Sequence, residues 1–517
     1  MNIPDNCHSL TKIIATLGPA SANKEMVTEL IRTGVSVFRI NFSHGEFESF
    51  GMMKQLVREV SDSLGRHVGV MGDLSGPKVR IGKVVEGGVK LEHGQCVQFV
   101  KGTVLTDDSM DPLVFSTTCP EVLDEIQVGE QILLDDGNVR LRCVARDGNG
   151  DDTVVVAEAE VAAVLSSAKG VNLPDTDLSL PALTEYDLQC LKFVVENDFD
   201  FVSLSFVRNA DDIRLIKDHL RSMGARPPRS EAPRDGEVSS FAYYGSRRFI
   251  PIIAKIEKPQ AITELEAIVS EADVVMVARG DLGVEMDLAQ VPVIQKQIIS
   301  ECNNQGKPVI VATQMLQSMI DSPTATRAEV SDVANAIIDG ADAIMLSGET
   351  AVGKWPVEAV KIFRRVGMRT HEHRLSDPGS WSLPAKPRAS KYRTMALARG
   401  VCAVLQDLDA PMVAIWSSHG GGASYLSQLR LPLPTVAFSA DRTALRRMSI
   451  MYGIWPMYKD LPDDTITFLK DLDALLLEHN WVNDGDPIVI VLGQPFGRPG
   501  LTNDLRIHYV GDVIDTL

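Results

Sequence analysis

At 517 residues with 44% hydrophobic content, the chain is long enough to bury more than one core, and about two to four domains are expected. That content also excludes a disordered polymer. A formal net charge of −18 weighs against general attraction to nucleic acid or an anionic membrane, so any anion site must be local.

In chain order, the first predicted elements are short β-branched runs at residues 11–18, 35–44 and 68–74, with a segment of helical periodicity at 24–33. Residues 82–180 change character. Alternating runs at 89–100, 131–144 and 153–161, broken by the turn cluster Asp135-Asp136-Gly137-Asn138, predict an inserted all-β domain. Strand–helix alternation then resumes, with strand-like runs at 199–207, 249–257, 272–280, 308–314 and 341–349 and helical segments at 210–223, 259–270, 291–305 and 327–339. Eight βα units most economically close as a (β/α)8 TIM barrel; a doubly wound open sheet is the alternative. Residues 224–248 have loop composition and predict a surface bulge, and the Pro-, Ser- and charge-rich stretch 368–391 predicts a linker. Beyond it, helical segments at 392–408 and 442–452 alternate with strands at 411–418, 433–439 and 487–492. The expected division is a barrel at 1–81 and 181–367, a β lid at 82–180, a linker at 368–391 and a C-terminal α/β regulatory domain at 392–517.

The start, Met1-Asn-Ile-Pro-Asp-Asn, lacks a basic region followed by an apolar run, and no stretch supplies the roughly 20 apolar residues of a membrane span. A cytoplasmic location is the resulting expectation. Cys7, Cys96, Cys119, Cys143, Cys190, Cys302 and Cys402 show no Cys-x-x-Cys or metal-finger spacing and read as reduced thiols, mostly filling core.

A parallel barrel forms its active site where the strands end, so polar residues there carry extra weight. Arg39, Asn41 and Ser43 share one face of the second run, while Phe38, Ile40 and Phe42 take the other. An inward guanidinium suits a phosphate; a pairing with a neighbouring carboxylate is the plainer reading. Lys255 and Glu257 sit two residues apart in an otherwise apolar strand, either as a buried ion pair or as chemistry. The next run ends Arg279-Gly280-Asp281-Leu-Gly283, and Glu257 with Asp281 supplies hard oxygen ligands from adjacent strands that suit Mg²⁺. Lys255 beside them would offset charge on a transferred phosphoryl group or an enolate oxygen. Thr313, Ser347 and Glu349 end the last two runs, where helix capping competes with a catalytic role. Asp73, Lys78 and Arg80 open the insert and Lys169 closes it, so a hinged lid carrying Lys169 would exclude water. His419-Gly-Gly-Gly422 lacks the spacing of a phosphate loop.

The motifs Thr11-Lys-Ile-Ile-Ala-Thr-Leu-Gly-Pro-Ala-Ser21, Phe38-Arg-Ile-Asn-Phe-Ser-His-Gly45, Lys169-Gly-Val-Asn-Leu-Pro174, Ala254-Lys-Ile-Glu-Lys-Pro259, Met276-Val-Ala-Arg-Gly-Asp-Leu-Gly-Val-Glu285 and Met345-Leu-Ser-Gly-Glu-Thr350 together resemble the pyruvate kinase family. The resemblance is dense from residue 11 to about 366 and thinner beyond. It implies phosphoryl transfer from phosphoenolpyruvate to ADP, giving pyruvate and ATP, the last step of glycolysis. It further implies Mg²⁺, with Mn²⁺ as an alternative, on Glu257 and Asp281, and Lys255 stabilising the transition state. By the same resemblance, Arg39, Lys255, Gly280, Asp281 and Thr313 bind phosphoenolpyruvate, Thr313 counts as catalytic, and Asn41, His44, Arg80 and Lys169 face the nucleotide. No nucleic-acid or membrane partner is implied, and a homotetramer is. Many members use K⁺ near the positions matching Asn41, Ser43 and Asp73 and carry glutamate where this chain has Lys78; a fixed ammonium there predicts activity without K⁺. The stretch 417–424 lacks the Gly-Arg-Thr/Ser element of members activated by sugar phosphates, leaving Ser417, Ser418 and Arg498 as a smaller anion site. A metal-dependent lyase or aldolase acting on a pyruvate enolate, and a catalytically silent metabolite sensor, are the competing readings.

Overall fold

The computed structural model describes residues 9–148, 150–226, 249–376, 393–494, 496 and 502–512. Eight strands, Lys12–Thr16, Val35–Asn41, Gly69–Asp73, Phe201–Leu204, Ile252–Ile256, Val274–Ala278, Val309–Ala312 and Ala343–Leu346, form a closed barrel in chain order. All pair in parallel, and the eighth closes on the first through Lys12↔Ala343. The closed sheet settles the choice between barrel and open sheet.

These strands lie between an inner core and a helical ring, which is why they read as nearly unbroken apolar runs. Alternation divides them: Ile14, Val37, Met71, Ile253, Met276 and Ile310 fill the interior, while Ile13, Ala15, Phe38, Ala254 and Val311 pack outward. The interior core continues into Met448, Ile450 and Met451 of the C-terminal domain. A rigid barrel with packed interior fixes the strand ends, and hence the site at their mouth.

The predicted helices 24–33, 291–305 and 327–339 appear as Lys24–Thr33, Val291–Gln305 and Arg327–Asp339. Asn23 caps the first by accepting from Met26 N, and Thr326 with Glu329 forms a capping box on the third. The helix expected at 259–270 is divided into Pro259–Thr263 and Leu265–Glu271 at Glu264.

The insert is all β, with a six-stranded sheet and smaller two-stranded ones around a core that includes Phe99, Phe115, Leu134 and Leu141. The run 131–144 becomes the hairpin Gln131–Leu134 and Val139–Asp147, turned by Asp135, Asp136 and Gly137, all at positive φ. The C-terminal domain is a five-stranded sheet in the order Ile454–Tyr458, Thr435–Ser439, Val413–Trp416, Pro487–Leu492, Asp504–Tyr509, with only the last strand antiparallel.

The expected linker needs correction at its start. Residues 368–376 continue the helix Pro356–Ser376, because Thr370 and His371 face inward and His371 meets Thr11 and Tyr452. Residues 377–391 lie outside the described residues, as do 227–248 of the expected surface bulge and Arg498 of the proposed anion site. Of the bulge, Arg226 is buried and clasps Asp273. No helix among the described residues is long and apolar enough to cross a membrane.

Candidate active site

The second and third barrel strands bring Arg39 and Asp73 together at the mouth. Arg39 donates from Nε to Asp73 Oδ2 at 2.7 Å, with a terminal nitrogen at 2.5 Å, and its other terminal nitrogen reaches Thr16 Oγ1 at 3.2 Å. Asp73 is buried and also accepts from the Ser203 hydroxyl. Burial alone would raise its carboxyl, but Lys255 and Arg39 hold it below the usual carboxylate range. The guanidinium thus has the carboxylate partner of the plainer reading, yet remains on the face that opens to the mouth.

On the fifth strand, Lys255 and Glu257 point the same way, as their spacing requires. Lys255 Nζ lies 2.9 Å from Glu257 Oε1 and 3.6 Å from Asp73 Oδ1, and donates to Ser205 Oγ at 2.7 Å. Burial opposes its charge, while Asp73 and Glu257 outweigh that and hold the ammonium above its ordinary value. Glu257 is 1% exposed, and burial raises its carboxyl even though Lys255 is near. Its Oε2 accepts from Phe206 N at 2.7 Å. Its Oε1 faces the Lys255 ammonium at 2.9 Å as an ion pair and has no other polar partner.

The helix Arg279–Glu285 follows the sixth strand and carries Gly280 and Asp281 in its first turn. Thr313 Oγ1 accepts from Gly280 N at 2.7 Å and donates to Ala312 O at 2.6 Å. Thr313 and Gln314 both take left-handed backbone, φ 67° and 53°, and Arg279 grips both carbonyl oxygens, at 3.0 and 3.2 Å. Arg279 is itself held by Asp332 at 2.7 Å.

A divalent cation fits this arrangement. Among the described residues no group of three or more His, Cys, Asp or Glu side chains could hold a metal ion. Glu257, whose buried Oε1 meets only the Lys255 ammonium, and a partly exposed Asp281 from the neighbouring strand end would instead provide two hard ligands. Mg²⁺ binds in this way when substrate and water complete its shell.

Lys78 makes its ion pair with Asp281, at 3.5 Å, rather than with Asp73. Asn41 Oδ1 accepts from Ser43 N at 3.1 Å, and the Ser43 hydroxyl meets that of Ser75 at 3.0 Å. The expected cation-site residues are therefore divided, since Asp73 is committed to Arg39, Ser203 and Lys255. On the insert side, Arg80 donates to Ala168 O at 2.9 Å and Lys169 pairs with Asp135 at 2.6 Å, while His44 is exposed. Glu349 does not enter the site: buried, it accepts from Leu316 N and Ser347 N and braces the two last strand ends. Ser203 and Ser205 were missed by sequence reasoning. Their alternation with Leu204 and Phe206 at a strand end was the available signal.

The description "Pyruvate kinase, barrel domain" fits residues 8–226 and 243–360, and "Pyruvate kinase, alpha/beta domain" fits residues 395–508. A pyruvate kinase of Mycobacterium tuberculosis is 38% identical over 501 residues, covering 97% of this chain and 98% of that protein. Pyruvate kinase 2 of Synechocystis is 36% identical, over 98% of this chain and 80% of its own length. Among solved structures, a pyruvate kinase from Cryptosporidium parvum superposes with a TM-score of 0.82 at 30% identity, covering 98% of this chain and 97% of that one. Such identity over nearly the full length of both proteins, on the same barrel with the same α/β domain behind it, means that the chain belongs to the pyruvate kinase family.

Proposed function

We propose that this protein transfers the phosphoryl group of phosphoenolpyruvate to ADP at the mouth of the barrel, with Lys255 at the centre of the reaction. The observation that carries the reading is the buried ammonium of Lys255, fixed between Asp73, Glu257 and Ser205 where the strands end. In the transfer, a terminal oxygen of ADP forms a bond to phosphorus as the bond from phosphorus to the enol oxygen breaks. The enolate then takes a proton at carbon to give pyruvate.

Arg39 turns its guanidinium to the phosphoryl group while Asp73 keeps it oriented. Lys255 meets the charge that develops on the transferring group and the enolate oxygen, and its fixed position means little reorganisation is needed at that moment. Gly280, Asp281 and Thr313 bind the body of phosphoenolpyruvate, and the Thr313 hydroxyl relays a proton from water to the enolate carbon. Asn41, His44, Arg80 and Lys169 receive the nucleotide, Lys169 exchanging Asp135 for phosphate. Mg²⁺, or Mn²⁺ in its place, held by Glu257 and Asp281, would draw substrate oxygens together and offset their charge. A homotetrameric assembly and a cytoplasmic location belong to the same reading.

The test is pyruvate formation from phosphoenolpyruvate, ADP and Mg²⁺ by the purified protein alongside Lys255→Met and Glu257→Gln. Equal rates in all three would remove the assigned site. Potassium supplies a second check. Lys78 pairs with Asp281 and not with Asp73, but it still places a permanent positive charge at the mouth, so replacing K⁺ by a bulky organic cation at constant ionic strength should leave turnover within about twofold. Abolished turnover would sink that assignment.

A further inference from the structure

The insert is tied to the barrel by a buried contact that the proposed chemistry does not use. Asn172 lies on the short strand Val171–Asn172, three residues after Lys169, and is 6% exposed. Its Nδ2 donates to Glu285 Oε1 at 2.7 Å, and Lys258 Nζ donates to the same oxygen at 2.6 Å. Glu285 is the last residue of the helix whose first turn carries Gly280 and Asp281, and its side chain is fully buried. Lys258 directly follows Glu257. A second tie runs from the insert's other arm, where Lys78 pairs with Asp281 at 3.5 Å. Each hinge arm therefore grips one end of a single short helix.

The two ties differ in strength. Lys78 and Asp281 are both partly open to solvent, so that pair is weak and readily exchanged when ligands arrive. The Asn172–Glu285–Lys258 contact is buried and charge-assisted, the kind of hydrogen bond that is costly to break. A strand that must carry Lys169 toward a nucleotide thus has its fixed end at Asn172, and Glu285 keeps that end in register with Asp281. Arg80 and Gly170, paired across the two hinge arms, pass the constraint to the other arm.

We infer that Glu285, held by Lys258 and gripping Asn172, is a positioning residue that sets the lid against the helix bearing Gly280 and Asp281. It aligns the nucleotide side of the site with the metal side without touching either substrate. The inference rests on the lid carrying the nucleotide, as proposed above, and the experiment separates the two ideas.

Asn172→Ala removes the insert's arm of the clasp and leaves Glu285 paired with Lys258, so a folded protein is expected. In the protein without ligands, hydrogen exchange at the hinge amides near residues 80–82 and 169–173 should quicken by about tenfold relative to the parent, while the barrel strands stay protected. In kinetics, the KM for ADP should rise by roughly tenfold with the KM for phosphoenolpyruvate within about twofold. The doubly substituted Asn172→Ala/Glu285→Ala protein should raise the KM for ADP by less than the product of the single effects, because both changes remove the Asn172–Glu285 bond, while Glu285→Ala alone also unpairs Lys258. Unchanged exchange at the hinge would overturn the clasp. An equal rise in both KM values, or faster exchange throughout the barrel, would also overturn it, as that pattern marks general destabilisation. If hinge exchange quickens while the parent protein turns over no phosphoenolpyruvate, the clasp stands and the assigned reaction fails instead.

Discussion

In Lys255→Met, kcat for pyruvate formation should fall by about 10²–10³-fold with little change in the KM for phosphoenolpyruvate, the range found when a positioned transition-state donor is removed. Methionine retains much of the lysine's length and apolar stem, so the change is mainly one of charge. In the proposed reaction the ground-state substrate would keep Arg39 and Gly280, whereas the developing charge would lose the group fixed to meet it. The substitution also leaves Asp73 with Arg39 alone among its close cations and leaves Glu257 with only the Phe206 amide. Loss of the ammonium beside Glu257 also removes its repulsion of a divalent cation, so the Mg²⁺ needed for half-maximal rate should not rise. Steady-state kinetics with varied Mg²⁺ separates the parts, and a raised KM with unchanged kcat would contradict the role assigned to Lys255.

The largest stability effect is expected at Asp200, far from the mouth. This carboxylate is 2% exposed and accepts from Val70 N at 2.8 Å, from Arg58 at 2.5 Å and from Arg446 Nε at 2.9 Å. Arg58 lies in the barrel's helix Phe47–Ser63 and Arg446 in the C-terminal domain's helix Arg442–Met448, so this carboxylate bridges the two domains alongside their shared core and the Arg430–Asp342 pair. Asp200→Asn leaves two guanidinium groups facing a neutral amide and should cost roughly 3–5 kcal/mol, seen as a lower midpoint in denaturant. Burial would raise the Asp200 carboxyl, but Arg58 and Arg446 hold it below its ordinary value of 3.8. Its contribution is therefore complete above that ordinary value and is lost as pH falls through the lower folded value. The gap between parent and variant should be constant near neutrality and close only in strong acid. A gap that closed already between pH 7 and 5 would contradict this assignment.

How much of this was legible in the sequence depended on the range of each interaction. The barrel strands were legible because burial on both faces leaves continuous apolar runs, and Lys255, Glu257 and Asp281 stood out as charges at the ends of those runs. Helices such as Arg327–Asp339 carried their own capping chemistry. Asp73 was visible as a residue but not as the shared counter-ion of Arg39 and Lys255, because those partners lie on different strands. Asp200 was hidden for the same reason, its Arg446 partner being 246 residues away. Residues 368–376 look like a linker by composition, and only the buried neighbours of Thr370 and His371 make them a helix. Strand Asp504–Tyr509 is a partly exposed edge with charges, so it lacks the apolar run that marked the others.

The paired left-handed residues Thr313 and Gln314 have a consequence for how the sequence can drift. Each holds a backbone conformation costing about 1–3 kcal/mol, and the Arg279 bonds to their carbonyls offset part of that cost. Arg279 depends in turn on Asp332, in the helix Arg327–Asp339. Mutational tolerance should therefore be low along a line reaching from the mouth into the outer ring. In a survey of all single substitutions selected for turnover, Arg279 and Asp332 should be nearly as restricted as Thr313 itself. Freely tolerated change at Asp332 would show that the turn keeps its shape without that support.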